Sequence, residues 1–145
     1  MGTWDIGPFD NDTAADFACT LDETAPDERE DLIRSTLAAT VRTRDYLDSW
    51  HAEESVAAAA LVAAQCPDGE PVTTTYGPSE ALPCFATDLR AVAAEALDRV
   101  LAEESELAEL WDDTDSGPQW RRSISDLRAI LTPQPEPRED PLFEI

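Results

Sequence analysis

Apolar residues at helical spacing constrain this chain more than any other feature. Leu89, Val92, Ala93, Leu97, Val100 and Leu101 follow one another in steps of three, one, four, three and one, which places them on one face of a 3.6-residue helix. The same period returns in Leu32, Ile33, Leu37 and Val41, on a helix expected over 27–43, and in Trp120, Ile124, Leu127, Ile130 and Leu131, on a helix opened by Pro118. Residues 52–65 are dominated by alanine, with Val56, Leu61 and Val62 as the larger apolar side chains. Alanine has the highest helix propensity and a small cross-section, so this helix is expected near the middle of the molecule. The fold class that follows is all-α, a single compact bundle of about five helices.

The first seventeen residues read as an extended leader that runs into a helix. Gly7-Pro8 is a turn signal, since glycine reaches backbone angles closed to other residues and proline presets its own. Asp10, Asn11 and Asp12 can offer side-chain oxygens to the free amides of a helix carrying Ala14, Phe17, Ala18 and Leu21 at steps of three and four. Trp4 and Phe9 are expected to be buried against the helices.

This opening resembles the bacterial domain of unknown function 4259 family, whose members start with Met-Gly-x-Trp-Gly-x-Gly-Pro-Phe-x-Asn-Asp-x-Ala-x-Asp. Gly2, Trp4, Gly7, Pro8, Phe9, Asn11, Asp12, Ala14 or Ala15, and Asp16 fit that pattern, while Asp5 stands where the pattern has glycine. A second similar stretch covers residues 99–111, so the resemblance spans most of 1–131. It implies a small helical domain and brings no activity, cofactor or partner with it.

Breaks divide the pattern. Pro26 with Asp27, Glu28, Glu30 and Asp31 suits a helix start, where negative charge meets the positive end of the dipole. Arg34, Arg42 and Arg44 fall toward the C-terminal half of that segment and are read as charge compensation. Residues 45–51 form a polar break from which Tyr46, Leu47 and Trp50 are expected to fold back onto the core. The prolines and glycines of 66–86 make a long loop, with 72–76 as extended surface chain and a candidate contact region. Thr87 is expected to cap the next helix, and Ser105 a short one with Leu107, Leu110 and Trp111 on one face. One helical domain is expected over 1–131, followed by a proline-rich acidic tail over 132–145, expected to be disordered.

Charge narrows the function classes. The chain has 32 acidic residues against 10 basic ones, a formal net charge of −22, and every basic residue is arginine. Such a field repels nucleic acid and acidic membranes and attracts basic partners, so direct nucleic-acid binding is not expected. Composition alone, in a GC-rich genome or a salt-loving cytoplasm, is the competing explanation. No basic region followed by an apolar stretch opens the chain, and the longest apolar run, 56–64, is far too short to span a bilayer. Ile6 stands where an acylation signal beginning at Met1-Gly2 needs serine or threonine. A cytoplasmic protein is expected.

No constellation with chemistry stands out. Cys19, Cys66 and Cys84 lack metal-ligand spacing and read as buried or idle thiols. His51 has Asp45, Asp48, Glu53 and Glu54 nearby but no nucleophile at a recognisable elbow. Asp10, Asp12 and Asp16 lack the sixth-position glycine and closing glutamate of a calcium loop. Phosphate loops, His-Glu-x-x-His and Gly-x-Ser-x-Gly are absent. Trp4, Phe9, Phe17, Trp111 and Trp120 read as core.

The densest carboxylate run is Glu103, Glu104, Glu106, Glu109, Asp112 and Asp113, either a solvated face or a docking site for a basic protein. The favoured expectation is a non-catalytic acidic binding protein, of the kind seen in immunity-type inhibitors or mimics of DNA charge, with no cofactor. A self-associating structural or regulatory helical module is the alternative, and an enzyme with an unrecognised site comes third. The sequence does not fix the oligomeric state.

Overall fold

The computed structural model describes residues 7–67, 69, 77–78 and 82–132. Six α-helices follow in order, where the spacing leads one to expect about five: α1 Asp12–Glu23, α2 Arg29–Arg42, α3 Ser49–Ala63, α4 Leu89–Leu101, α5 Glu106–Asp112 and α6 Gly117–Leu131. A 3-10 turn, Pro26–Glu28, leads into α2. Among the described residues the only β-type pairing is an isolated parallel bridge between Leu47 and Ser105. Trp4, residues 72–76 and the tail 133–145 lie outside the described residues, and with them the expectations placed there.

The helix α3 is the centre. Every residue from Ser55 to Ala63 is buried, as befits a helix apolar on all sides, and α3 packs against each of the other five helices. Alanine makes this workable because five neighbours can approach only where side chains are short. The polar exception is Ser55, whose hydroxyl lies 2.6 Å from that of Thr40 on α2. Two buried hydroxyls thereby satisfy one another, as the large majority of buried polar groups are satisfied.

Local chemistry sets the ends. Asn11 caps α1, its Oδ1 accepting the Ala14 amide at 2.7 Å. The turn before it closes through the Asp10 amide on Gly7 O at 3.1 Å and the Gly7 amide on Asp10 Oδ2 at 3.1 Å. A Cβ on Gly7 would collide with that carboxylate, which is the reason for glycine there. The turn buries Phe9 beneath the bundle, while Pro8 is half-buried and Asp12 and Asp16 are exposed on α1. Arg29, which no local pattern singles out, is buried and closes the far end of α1: its guanidinium donates to the carbonyls of Leu21 and Thr24, both at 2.9 Å, and of Asp22 at 3.2 Å. A cation at a helix C-terminus meets both the free carbonyls and the dipole.

Five expectations are corrected. The helix expected from 27 begins at Arg29, and its buried face is Arg29, Ile33, Leu37 and Thr40, so Leu32 and Val41 are only partly buried. Asp88, not Thr87, is the N-cap residue of α4, and it makes no side-chain cap. Its carboxylate is engaged by Arg34 at 3.0 and 3.2 Å instead. Ser105 occupies the N-cap position of α5 without capping it, and its hydroxyl is buried with no partner. Of Tyr46, Leu47 and Trp50, Leu47 alone folds into the core, while on α5 Leu110 turns outward.

Ala57, Ala58 and Ala59 point in three successive directions, and all are fully buried. Replacing any one with leucine is therefore expected to destabilise the domain by about 1–3 kcal/mol, the usual effect of overpacking, read by urea unfolding. A position that accepts leucine without loss would reveal a side of α3 that is not closely packed.

Candidate functional site

The exposed large hydrophobic residues among those described are Tyr46, Trp50 and Leu110, at 51%, 59% and 41% exposure. All three belong to one end of the bundle, where the 43–48 connection and the first turn of α3 meet α5. Backbone pairing joins these segments: the Leu47 amide donates to Glu104 O and the Glu106 amide to Leu47 O, both at 2.8 Å.

Arg99, in the last turn of α4, fastens the same junction. It donates from Nε to Thr43 O at 3.0 Å, from Nη1 to Glu103 O at 3.2 Å, and from Nη2 to Asp45 O at 2.6 Å and Glu104 O at 3.3 Å. One planar guanidinium thus holds both strands of the bridge, a fork that lysine cannot reproduce. Glu104, whose carbonyl takes part in these bonds, lies in the left-handed region with φ at 62°.

Several carboxylates of the expected acidic set have internal partners. Glu106 Oε1 accepts the Ser49 amide at 2.8 Å, and Asp48 Oδ1 accepts the His51 amide at 2.8 Å. Two carboxylates therefore sit at the positive end of α3, one from its own cap and one from α5. Glu109 Oε1 accepts the Tyr46 hydroxyl at 2.7 Å, a bond that pushes the phenol up to about 12. Asp112 is held by two 2.8 Å bonds from Arg121, which keep it below the usual carboxylate range. Glu103, Glu104, Glu109 and Asp113 are exposed. Among the described residues, none of Glu103, Glu104, Glu106, Glu109 and Asp113 is in an ion pair.

On α5, Glu106, Glu109, Leu110 and the C-cap Asp113 follow steps of three, one and three, and so share a strip. Trp50 stands on the first turn of α3, one residue after the Ser49 amide that Glu106 binds, its ring 5.3 Å from that of His51 and tilted by 42°. His51 is half exposed and pairs with Asp48 at 2.9 Å. Burial would raise Asp48, but the backbone and ring nitrogens of His51 outweigh it and the group sits low. Glu54, one turn on, is pushed up by burial. Beneath the strip Trp111 stacks on Trp120, 5.9 Å apart and 8° from parallel. Gly117 starts α6 against the Trp111 carbonyl, which a Cβ would meet at 2.6 Å.

The rest of the surface offers less. A cleft of about 430 Å³ between the end of α3 and residues 82–86 is lined by Val62, Gln65, Phe85 and Arg90 among others. The Gln65 amide there bonds Pro83 O at 2.8 Å and the Phe85 amide at 2.9 Å. Cys66 is buried, Cys19 and Cys84 are exposed. Among the described residues no three His, Cys, Asp or Glu side chains are placed to share a metal ion, and no helix is long and apolar enough to cross a membrane.

Two substitutions test this junction. Glu104→Gly relieves the left-handed backbone and is expected to stabilise the domain by about 1 kcal/mol, read by urea unfolding; a loss would mean that the side chain contributes more than the strain removes. Glu54 binds its proton more tightly folded than unfolded, so its ionisation weakens folding above the carboxylate range, and that penalty vanishes as pH falls. Glu54→Gln is therefore expected to raise the melting temperature at neutral pH, with a gain that shrinks below about pH 4. An equal gain at both pH values would remove ionisation as its cause.

Comparison with known families matches residues 2–123 to the family described as Domain of unknown function (DUF4259). No curated protein and no solved structure matches the chain.

Proposed function

Because the chain belongs to the DUF4259 family, a membership that brings no activity with it, we propose from its surface chemistry that it is a non-catalytic cytoplasmic binding protein. It docks a basic protein on the α5 face, as an immunity-type inhibitor or a mimic of DNA charge would. The observation that supports this is the coincidence, among the described residues, of the exposed large hydrophobic residues Tyr46, Trp50 and Leu110 with carboxylates outside any ion pair. Apolar side chains supply area that water releases on contact, and the carboxylates steer a partner of opposite charge. Nucleic acid is repelled by the same field. A second copy of the chain would set these carboxylates against themselves, which disfavours self-association at low salt.

Neutralisation must spare the residues with internal duties. Glu106 caps α3, Glu109 holds Tyr46 and Asp112 pairs with Arg121, so the informative variant is Glu103→Gln, Glu104→Gln and Asp113→Asn. It is expected to melt like the parent and to associate with the captured basic partner on the order of tenfold more slowly, with a shallower salt dependence. Pulldown from the native cytoplasm at two salt concentrations identifies the partner, and surface plasmon resonance measures the rates. A partner captured equally by both proteins and indifferent to salt would discard the acidic face and favour the self-associating module.

A further inference from the structure

Three exposed, large, mostly apolar side chains gathered at one end need an occupant, and their fixed setting narrows its chemistry. Tyr46 is tethered through its hydroxyl to Glu109, and the connection that carries it is fastened by Arg99 and the Leu47 bridge. Trp50 follows directly on Ser49, whose amide is bound by Glu106. These side chains are exposed while their backbones are held, so little backbone freedom remains to be lost when a partner binds. Tyrosine and tryptophan in such settings are the residues that most often dominate binding energy.

We infer that the patch takes an arginine-bearing segment of a protein partner with an apolar residue beside the arginine, an inference that rests on the binding role proposed above. The exposed part of Trp50 offers a π surface, and negative charge at the same end of the bundle comes from Glu106, which binds the Ser49 amide one residue before Trp50, and from Glu109, which binds Tyr46. A guanidinium is planar and weakly hydrated, so it can stack on an indole while bonding a carboxylate; an ammonium is more strongly hydrated and does this less well. Leu110, on the same strip of α5 as both glutamates, supplies the contact for an apolar neighbour. Charge draws in any cation, and the aromatic surface selects among them.

Three labelled peptides test this on the full chain: four repeats of Arg-Ser-Leu, of Lys-Ser-Leu and of Arg-Ser-Ser, titrated at low and physiological salt. The Arg-Ser-Leu peptide is expected to bind about fivefold more tightly than the lysine peptide and more tightly than Arg-Ser-Ser. Trp50→Leu, which keeps an apolar side chain and removes the ring, should bring the arginine-to-lysine ratio close to one. Leu110→Ala should remove the preference over Arg-Ser-Ser. Equal binding of arginine and lysine peptides, or a ratio that survives Trp50→Leu, overturns the inference while leaving an acidic binding surface in place. If no peptide binds at low salt, the binding role itself fails and the inference with it. A concentration-dependent dimer of the chain alone that Trp50→Leu dissolves would assign the patch to a second copy and overturn the inference as well.

Discussion

Close approach to α3 is the constraint on which the rest of the structure depends. Five helices reach it because nine consecutive residues present nothing bulkier than leucine and mostly only a methyl group. Dispersion between closely spaced atoms is weak pair by pair and large in sum, and the backbones can come near enough to collect it. The larger side chains are supplied by the surrounding helices: Phe17 and Leu21 from α1, Ile33 and Leu37 from α2, Leu89 and Leu97 from α4, Trp120 and Ile124 from α6. Small residues at the hub and large ones on the rim make a dense core from a modest chain.

What could be read in the sequence was whatever one helix decides for itself. Ala14, Phe17, Ala18 and Leu21 are buried as their spacing requires, and so are Ala93, Leu97 and Val100 on α4. The Asn11 cap and the Gly7–Asp10 turn are equally local. Features that depend on a second segment were not legible. At the start of α4 the Asp88 carboxylate binds Arg34, 54 residues away, and makes no cap. Arg29 cannot be told from a surface arginine until the end of α1 folds over it. The Thr40–Ser55 pair looks like two ordinary polar residues on separate helices. Tyr46 and Trp50 have the composition of core residues and lie outside, because the bridge at Leu47 fixes which side of that connection faces inward.

The acidic run on α5 shows why charge density alone is a poor guide to a site. Glu106 and Asp112 have the same formal charge as Glu103 and Asp113, yet one is a helix cap and the other half of an ion pair. Glu106, Glu109 and Asp112 hold the aromatic face in shape through internal partners, and Glu106 and Glu109, in no ion pair among the described residues, add to its field as well. The candidate set was visible as a cluster; the roles of its members needed the three-dimensional neighbours.

The position of α3 has a further consequence for how the chain can be divided. The connection 64–88 separates α1–α3 from α4–α6, and the most extensive packing between helices of the described residues, between α3 and α4, crosses it. A cut in that connection would leave one piece with the hub exposed and another with the rim unfilled. Neither owns the whole core, so each would have to find the other to complete its fold. Recovery of the native state would become a second-order reaction, and the covalent link between the halves acts chiefly as an effective concentration.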